Sequence, residues 1–221
     1  MKFIVPVLSL LLTGGALAEE AASLLPPLPQ PTAPKALPAP PRDTSRVVPL
    51  SEEIPDWQAR WELARALSYL QRYDESLAEY RKVLAERPGD VAIRQDYGQV
   101  LYWSGRTAEA YAELSGVPSQ ALTRAGALAL ADTMVARGEF ARAEVIYRAQ
   151  SASDETDQLT RLKLAEILSW TKRYDESLAL YRKILEARPG DGPVRRRYAL
   201  VLLWAGRPED SAAELRRTLP P

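Results

Sequence analysis

A long internal repeat constrains this sequence more than any other feature. Residues 63–90 read LARALSYLQRYDESLAEYRKVLAERPGD, and residues 164–191 read LAEILSWTKRYDESLALYRKILEARPGD. Nineteen of these 28 positions are identical at a constant offset of 101 residues. Repetition of this kind is typical of chains in which one supersecondary unit stacks on the next, because a single unit cannot bury its apolar face alone.

The offset is close to three periods of 34 residues, and further copies of the pattern lie between and after the two long ones. Small residues at the eighth and twentieth places of a unit would let two antiparallel helices cross closely, while larger residues fill the space between units. The predicted units are residues 57–90, 91–123, 124–157, 158–191 and 192–221. Their eighth and twentieth places hold Ala64, Gly98, Ala131, Ala165 and Ala199, and Ser76, Ala110, Ala143, Ser177 and Ser211.

Turn residues mark the ends of the predicted helices. The sequence RPGD should break the chain, with Asp90 and Asp191 placed to cap the helix that follows. Gly105, Gly138 and Gly206 lie where a turn within the unit needs a permissive backbone.

These places resemble the tetratricopeptide repeat, and the resemblance covers residues 57 to about 219. It implies an all-α fold, a right-handed superhelix of five helix-turn-helix units whose first helices line a concave groove. The tryptophan usual at the fourth place is absent, although Trp61 lies one residue later. In the last unit, Glu214 and Thr218 predict a polar outer face that would end the stack.

The N-terminal segment predicts export. Residues 1–18 read as a secretory signal, with Lys2, an apolar stretch and a small-residue cleavage site before Glu19. That stretch is shorter than the roughly 20 residues that cross a bilayer, and no membrane span is predicted in the mature chain. Residues 19–55 are rich in proline and predict a disordered linker before a helical domain at 56–221. A periplasmic location is the main expectation, with secretion as the alternative.

Composition argues against an enzyme. The chain has no histidine and no cysteine, so the commonest general base, thiolate nucleophiles and the usual zinc ligands are missing. No cofactor and no metal are predicted. The 29 basic and 29 acidic residues balance, which disfavours a nucleic-acid partner.

Aromatic residues recur near the ends of the predicted first helices. In the tetratricopeptide repeat family, which the sequence resembles, the second, fifth, ninth, twelfth and thirteenth places commonly face the groove. The rings at the fifth, twelfth and thirteenth places would then form a ladder suited to stacking on sugars or packing against peptides; otherwise they are core residues. The aromatic candidates are Trp61, Tyr69, Tyr102, Trp103, Trp170 and Trp204, and the polar ones are Arg65, Gln99, Asp132 and Glu166.

Two binding functions remain open from the sequence. The first is a periplasmic adaptor or scaffold that holds a protein or peptide of the cell envelope in the groove. The second is a glycan-binding accessory, because LSW-x2-RYDESL and L-x-W-x-GR resemble periplasmic repeat arrays of bacterial exopolysaccharide secretion. Its partner would be a polysaccharide or the export machinery. A structural spacer without a groove ligand is a third possibility.

Overall fold

Ten α-helices follow one another in a computed structural model, which describes residues 54–154 and 156–220. A single 3-10 turn, Ser119–Ala121, adds to them, and no strand occurs in this part of the chain. The predicted all-α class is confirmed. In chain order the helices are α1 (Asp56–Tyr69), α2 (Tyr73–Glu86), α3 (Val91–Trp103), α4 (Thr107–Ser115), α5 (Arg124–Ala136), α6 (Phe140–Ser153), α7 (Gln158–Trp170), α8 (Tyr174–Ala187), α9 (Gly192–Trp204) and α10 (Pro208–Arg216).

The predicted signal peptide at 1–18 lies outside the described residues, as does the predicted linker except for Ile54 and Pro55, which precede α1. Among the described helices, none combines the length and the apolar character that a membrane crossing requires.

Side-chain caps start four of the odd-numbered helices. The Asp90 carboxylate accepts hydrogen bonds from the backbone N–H of Ala92 at 3.1 Å and Ile93 at 3.3 Å, and the Asp191 carboxylate accepts one from Val194 at 3.0 Å. These bonds satisfy donors that the first turn of a helix leaves without partners. Both predicted caps are confirmed. Thr123 and Asp157 cap α5 and α7 in the same way.

A residue with positive φ links the two helices of each consecutive pair. Gly105, Gly138 and Gly206 have φ of 79°, 75° and 74°, which confirms the predicted role of these glycines. The other two turns place Gln71 and Lys172 in the same region, at φ of 59° and 61°. L-residues pay a steric penalty there that glycine avoids.

Close crossing of the paired helices depends on the small residues at the eighth and twentieth places. Ser76 Oγ donates to the carbonyl of Ala64 at 2.7 Å, and Ser177 Oγ donates to the carbonyl of Ala165 at 2.7 Å. All four residues are completely buried. A bond this short between two helices requires their backbones to approach directly, so a larger side chain would separate them.

Consecutive pairs, hereafter hairpins 1 to 5, stack because the second helix of each packs on the first helix of the next. Tyr80 of α2 lies against Tyr97 of α3 with ring centroids 6.0 Å apart, and Tyr181 of α8 lies against Tyr198 of α9 at 6.3 Å. Rings at this spacing contribute beyond the area they bury. The first helices begin within one residue of the predicted unit starts. The division into five complete repeat units stays a prediction.

Candidate interaction surface

The five odd-numbered helices present one continuous set of side chains, which we call the first-helix face. It comprises the second, fifth, sixth, ninth, twelfth and thirteenth places of each hairpin, counted from residues 57, 91, 124, 158 and 192. Within this set, α1 packs against α3 and α3 against α5. Side chains on neighbouring odd-numbered helices can therefore interact directly.

The six predicted aromatic residues differ in exposure. Tyr69, at the end of α1, is 45% exposed, and Trp204, at the end of α9, is 39% exposed. Trp61, Tyr102, Trp103 and Trp170 are half-buried. The rings most accessible to a partner thus belong to the first and last hairpins.

Two half-buried tryptophans owe their position to the hairpin before them. Trp170 packs on Phe140, the first residue of α6, with ring centroids 5.7 Å apart and planes at 53°. Trp103 packs against the core formed by hairpins 1 and 2, where Tyr73, the first residue of α2, also lies. Each ring contributes one part to the core and presents another to the surface.

Trp61 is held by contacts on both sides. Its ring stacks on Trp57 at a centroid distance of 6.5 Å, and its Nε1–H donates to the Asp96 carboxylate of α3 at 3.0 Å. The Arg65 guanidinium lies 6.0 Å from the Trp61 ring and 3.9 Å from Asp96. Burial raises the pKa of Asp96, and the bond from Trp61 opposes that shift. The Trp61 orientation is therefore fixed before any partner arrives.

Asp132 of α5 is the centre of a network that joins three hairpins. Its carboxylate accepts hydrogen bonds from the hydroxyls of Tyr102 and Tyr147 and binds Lys163 Nζ at 2.6 Å. The pKa of both tyrosines is raised, mainly by burial and secondly by the negative charge of Asp132. Both phenols therefore remain donors at neutral pH. Because Tyr102, Asp132 and Lys163 belong to α3, α5 and α7, the network fixes the spacing of three adjacent first helices.

Glu166 of α7 forms a comparable link to the last hairpin. Its carboxylate pairs with Arg197 of α9, and the Glu166 side chain is buried. Burial raises the pKa of Glu166, while the neighbouring Arg197 and Lys163 lower it. Gln99, the remaining polar candidate, lies half-buried on α3.

Sequence reasoning missed the sixth place of the hairpin. Asp96, Lys163 and Arg197 occupy it and meet Arg65, Asp132 and Glu166, which occupy the ninth place of the hairpin before. A signal existed, since each pair joins opposite charges 31 residues apart. This spacing could have predicted which first-helix residues of neighbouring hairpins form ion pairs. No such ion pair joins α3 to α5, because the sixth place of hairpin 3 is the uncharged Ala129.

The last two hairpins each expose an apolar residue on the first-helix face. Leu159 lies at the start of α7, and Leu203 lies beside Trp204 near the end of α9. Exposed large apolar side chains near an aromatic ring are a usual component of protein interfaces.

Stacked helical hairpins with close small-residue crossings define the class of helical repeat proteins. Residues 67–132 and 171–221 match the family described as tetratricopeptide repeat. The chain belongs to the tetratricopeptide repeat family, as the resemblance indicated.

Solved structures agree with this fold. MamA MSR-1 is 18% identical, with 73% of this chain and 94% of that chain covered at a TM-score of 0.66. YrrB, described as a TPR protein with an unusual peptide-binding site, is 17% identical, with 74% and 84% covered at a TM-score of 0.67. MamA AMB-1 is 19% identical, with 72% and 95% covered at 0.66. No curated protein matches the chain.

Proposed function

We propose that this chain is a non-catalytic adaptor whose first-helix face binds a peptide or a segment of a partner protein. The observation that carries the proposal is the combination of exposed apolar anchors with a surface fixed by bonds between hairpins. Tyr69, Leu159, Leu203 and Trp204 supply the anchors. The Asp132 network and the Glu166–Arg197 pair hold the helices that present them.

Preorganisation is what makes these anchors suitable. Binding to a surface that is already ordered avoids the entropy of fixing side chains and loops, so a few anchors can give useful affinity. Most charges on this face are already paired with each other. We therefore expect recognition to depend chiefly on apolar and aromatic side chains of the partner. The peptide-binding site described for YrrB is consistent with such a role for this fold.

A peptide display selection on the immobilised full chain tests this proposal. Peptides that emerge should share apolar or aromatic anchors, and fluorescence anisotropy should give their affinity. We expect Trp204→Ala, and Leu159→Ala combined with Leu203→Ala, to weaken binding about tenfold or more, as loss of an interface anchor does.

Val145→Ala is the matched control, because Val145 is an exposed apolar residue on the second helix α6. It should leave the affinity unchanged. Equal affinities for all variants, at unchanged unfolding midpoints, would place binding elsewhere. Titration with oligosaccharides, followed by tryptophan fluorescence, tests the glycan alternative; saturable binding without peptide binding would favour it.

We also propose that the chain acts outside the cytoplasm, in the periplasm, on the basis of residues 1–18. Expression in a Gram-negative bacterium, followed by fractionation and N-terminal sequencing, should give a periplasmic product that begins at Glu19. A cytoplasmic product that begins at Met1 would contradict export.

A further inference from the structure

The first and last hairpins expose side chains that the internal junctions bury. The seventh place packs on the twenty-fourth place of the hairpin before, as Tyr97 does on Tyr80 and Tyr198 on Tyr181. In hairpin 1 the seventh place holds Leu63, which is 48% exposed. In hairpin 5 the twenty-fourth place holds Leu215, which is only half-buried. Leu63 and Leu215 thus occupy the two places that contact each other at the internal junctions, but in hairpins 1 and 5 each place lies at an end of the described stack.

Glu214, one of the two residues that predicted a polar cap, makes a contact that also occurs inside the stack. Glu214 pairs with Arg195 at 2.5 Å, just as Glu113 pairs with Arg94 at 3.1 Å inside the stack. The charge of Glu214 therefore does not mark an end of the stack. Thr218 is half-buried, while Leu203 and Leu219 of the same hairpin are exposed.

Charged residues at the two ends complement each other in the register of the internal junctions. Between hairpins 3 and 4, Arg148 at the twenty-fifth place binds Glu176 at the nineteenth place of the next hairpin, at 2.8 Å. The same places at the two ends hold Arg216 in hairpin 5 and Glu75 in hairpin 1.

A second polar contact follows the same register. Between hairpins 1 and 2, Trp61 at the fifth place donates to Asp96 at the sixth place of the next hairpin. The equivalent residues at the ends are Arg196 and Glu62, again a donor and a carboxylate. Glu62, Glu75, Arg196 and Arg216 are all exposed.

We propose that hairpin 5 of one copy stacks on hairpin 1 of a second copy, in the register of an internal junction. Leu215 would then cover Leu63, Arg216 would pair with Glu75, and Arg196 would pair with Glu62. Because the two contacting surfaces differ, this interface is heterologous, and it propagates into open chains of molecules unless a rotation closes it. The interface uses the outer surfaces of the first and last hairpins and, of the first-helix face, only Arg196 and Glu62 at its two ends. Its test therefore does not depend on a groove ligand.

Cross-linking of two variants tests the polarity of this contact. The chain contains no cysteine, so Leu63→Cys and Leu215→Cys each introduce a single thiol. A short bismaleimide should produce a covalent dimer when the two variants are mixed and little when either is alone. Dimers from each variant alone, equal in yield to the mixture, would overturn the proposal.

Charge reversal followed by sedimentation over a wide range of protein concentration provides the second test. The unaltered chain should show a mass that rises with concentration, and Arg216→Glu or Glu75→Arg should weaken association about threefold to tenfold. The double variant should recover it. Lys183→Glu, an equal charge change on α8, is the control and should leave association unaltered.

A chain that stays monomeric at every concentration overturns the proposal, and so does a double variant no better than either single one. Monomers with Leu63→Cys shielded from maleimide would indicate that the chain's own N-terminal segment covers this end. That result also refutes stacking between copies.

Discussion

Replacing Asp132 by alanine removes the acceptor that joins three first helices. Tyr147 is almost completely buried, and without the carboxylate its hydroxyl has no partner within the network. Tyr102 loses its acceptor as well, and the Lys163 ammonium, whose side chain is 26% exposed, can turn toward water.

The expected magnitude follows from these differences in burial. A stranded buried hydroxyl costs about 1–3 kcal/mol, and a hydrogen bond to a charged group contributes about 1.5–3 kcal/mol. Removal of one partner from a buried charged network costs about 3–5 kcal/mol. Because Lys163 can regain water, we expect Asp132→Ala to lower the free energy of unfolding by about 3 kcal/mol.

Urea unfolding of the full chain at pH 7, followed by tryptophan fluorescence, measures this loss. Asp175→Ala is the control, since Asp175 is exposed in the first turn of α8 and should contribute below about 1 kcal/mol. The loss of unfolding free energy for Asp132→Asn should lie between those of the two alanine variants. The amide oxygen of asparagine still accepts one tyrosine hydrogen bond, whereas its NH2 group, a donor, faces the other hydroxyl. A loss for Asp132→Ala no larger than for Asp175→Ala would refute the role of the network. A changed dependence of the unfolding free energy on urea concentration would show that the stack no longer unfolds as one unit.

Three further predictions concern the same stack. Ser177→Ala should destabilise the chain by about 1 kcal/mol in urea unfolding, since it removes a buried bond to Ala165, whereas Ser153→Ala, on an exposed residue, should have almost no effect. Lys172→Gly should stabilise by about 0.5–1 kcal/mol by relieving a positive φ, while Gly138→Ala should destabilise by a similar amount; the reverse order would contradict the assigned turn conformation. Burial raises the pKa of Glu166, so its folded form holds the proton longer than its unfolded form, and stability is lost as pH rises above about 4. The stability of the unaltered chain minus that of Glu166→Gln should therefore fall between pH 4 and 7, and a rise would mean that attraction to Arg197 outweighs burial.

Much of the fold was predictable because local chemistry marks each helix end. Asp90 and Asp191 cap helices with their own side chains, and Gly105, Gly138 and Gly206 adopt a conformation that glycine favours. Such signals act within a few residues. They do not reveal that Gln71 and Lys172 adopt the same conformation, because there the surrounding hairpin imposes it.

The interaction surface was less predictable because exposure depends on residues of the neighbouring hairpin. Trp170 and Trp204 occupy the same place, yet Phe140 packs against the first and the second is exposed. Tyr102 and Lys163, which bind Asp132, and Arg197, which binds Glu166, also lie in other hairpins, about 30 residues away. Predicting these contacts requires the register between hairpins as well as the pattern within one.

Site-specific photo-cross-linking tests most directly whether a partner occupies the first-helix face. A benzophenone amino acid at Ala136 of α5 or at Leu159 of α7 would lie on that face, and one at Val145 of α6 would lie on a second helix; all three positions are exposed. With a selected peptide ligand at saturation, we predict cross-links from Ala136 and Leu159 and none from Val145. Cross-links from Val145 alone would contradict the central claim that the first helices form the binding surface.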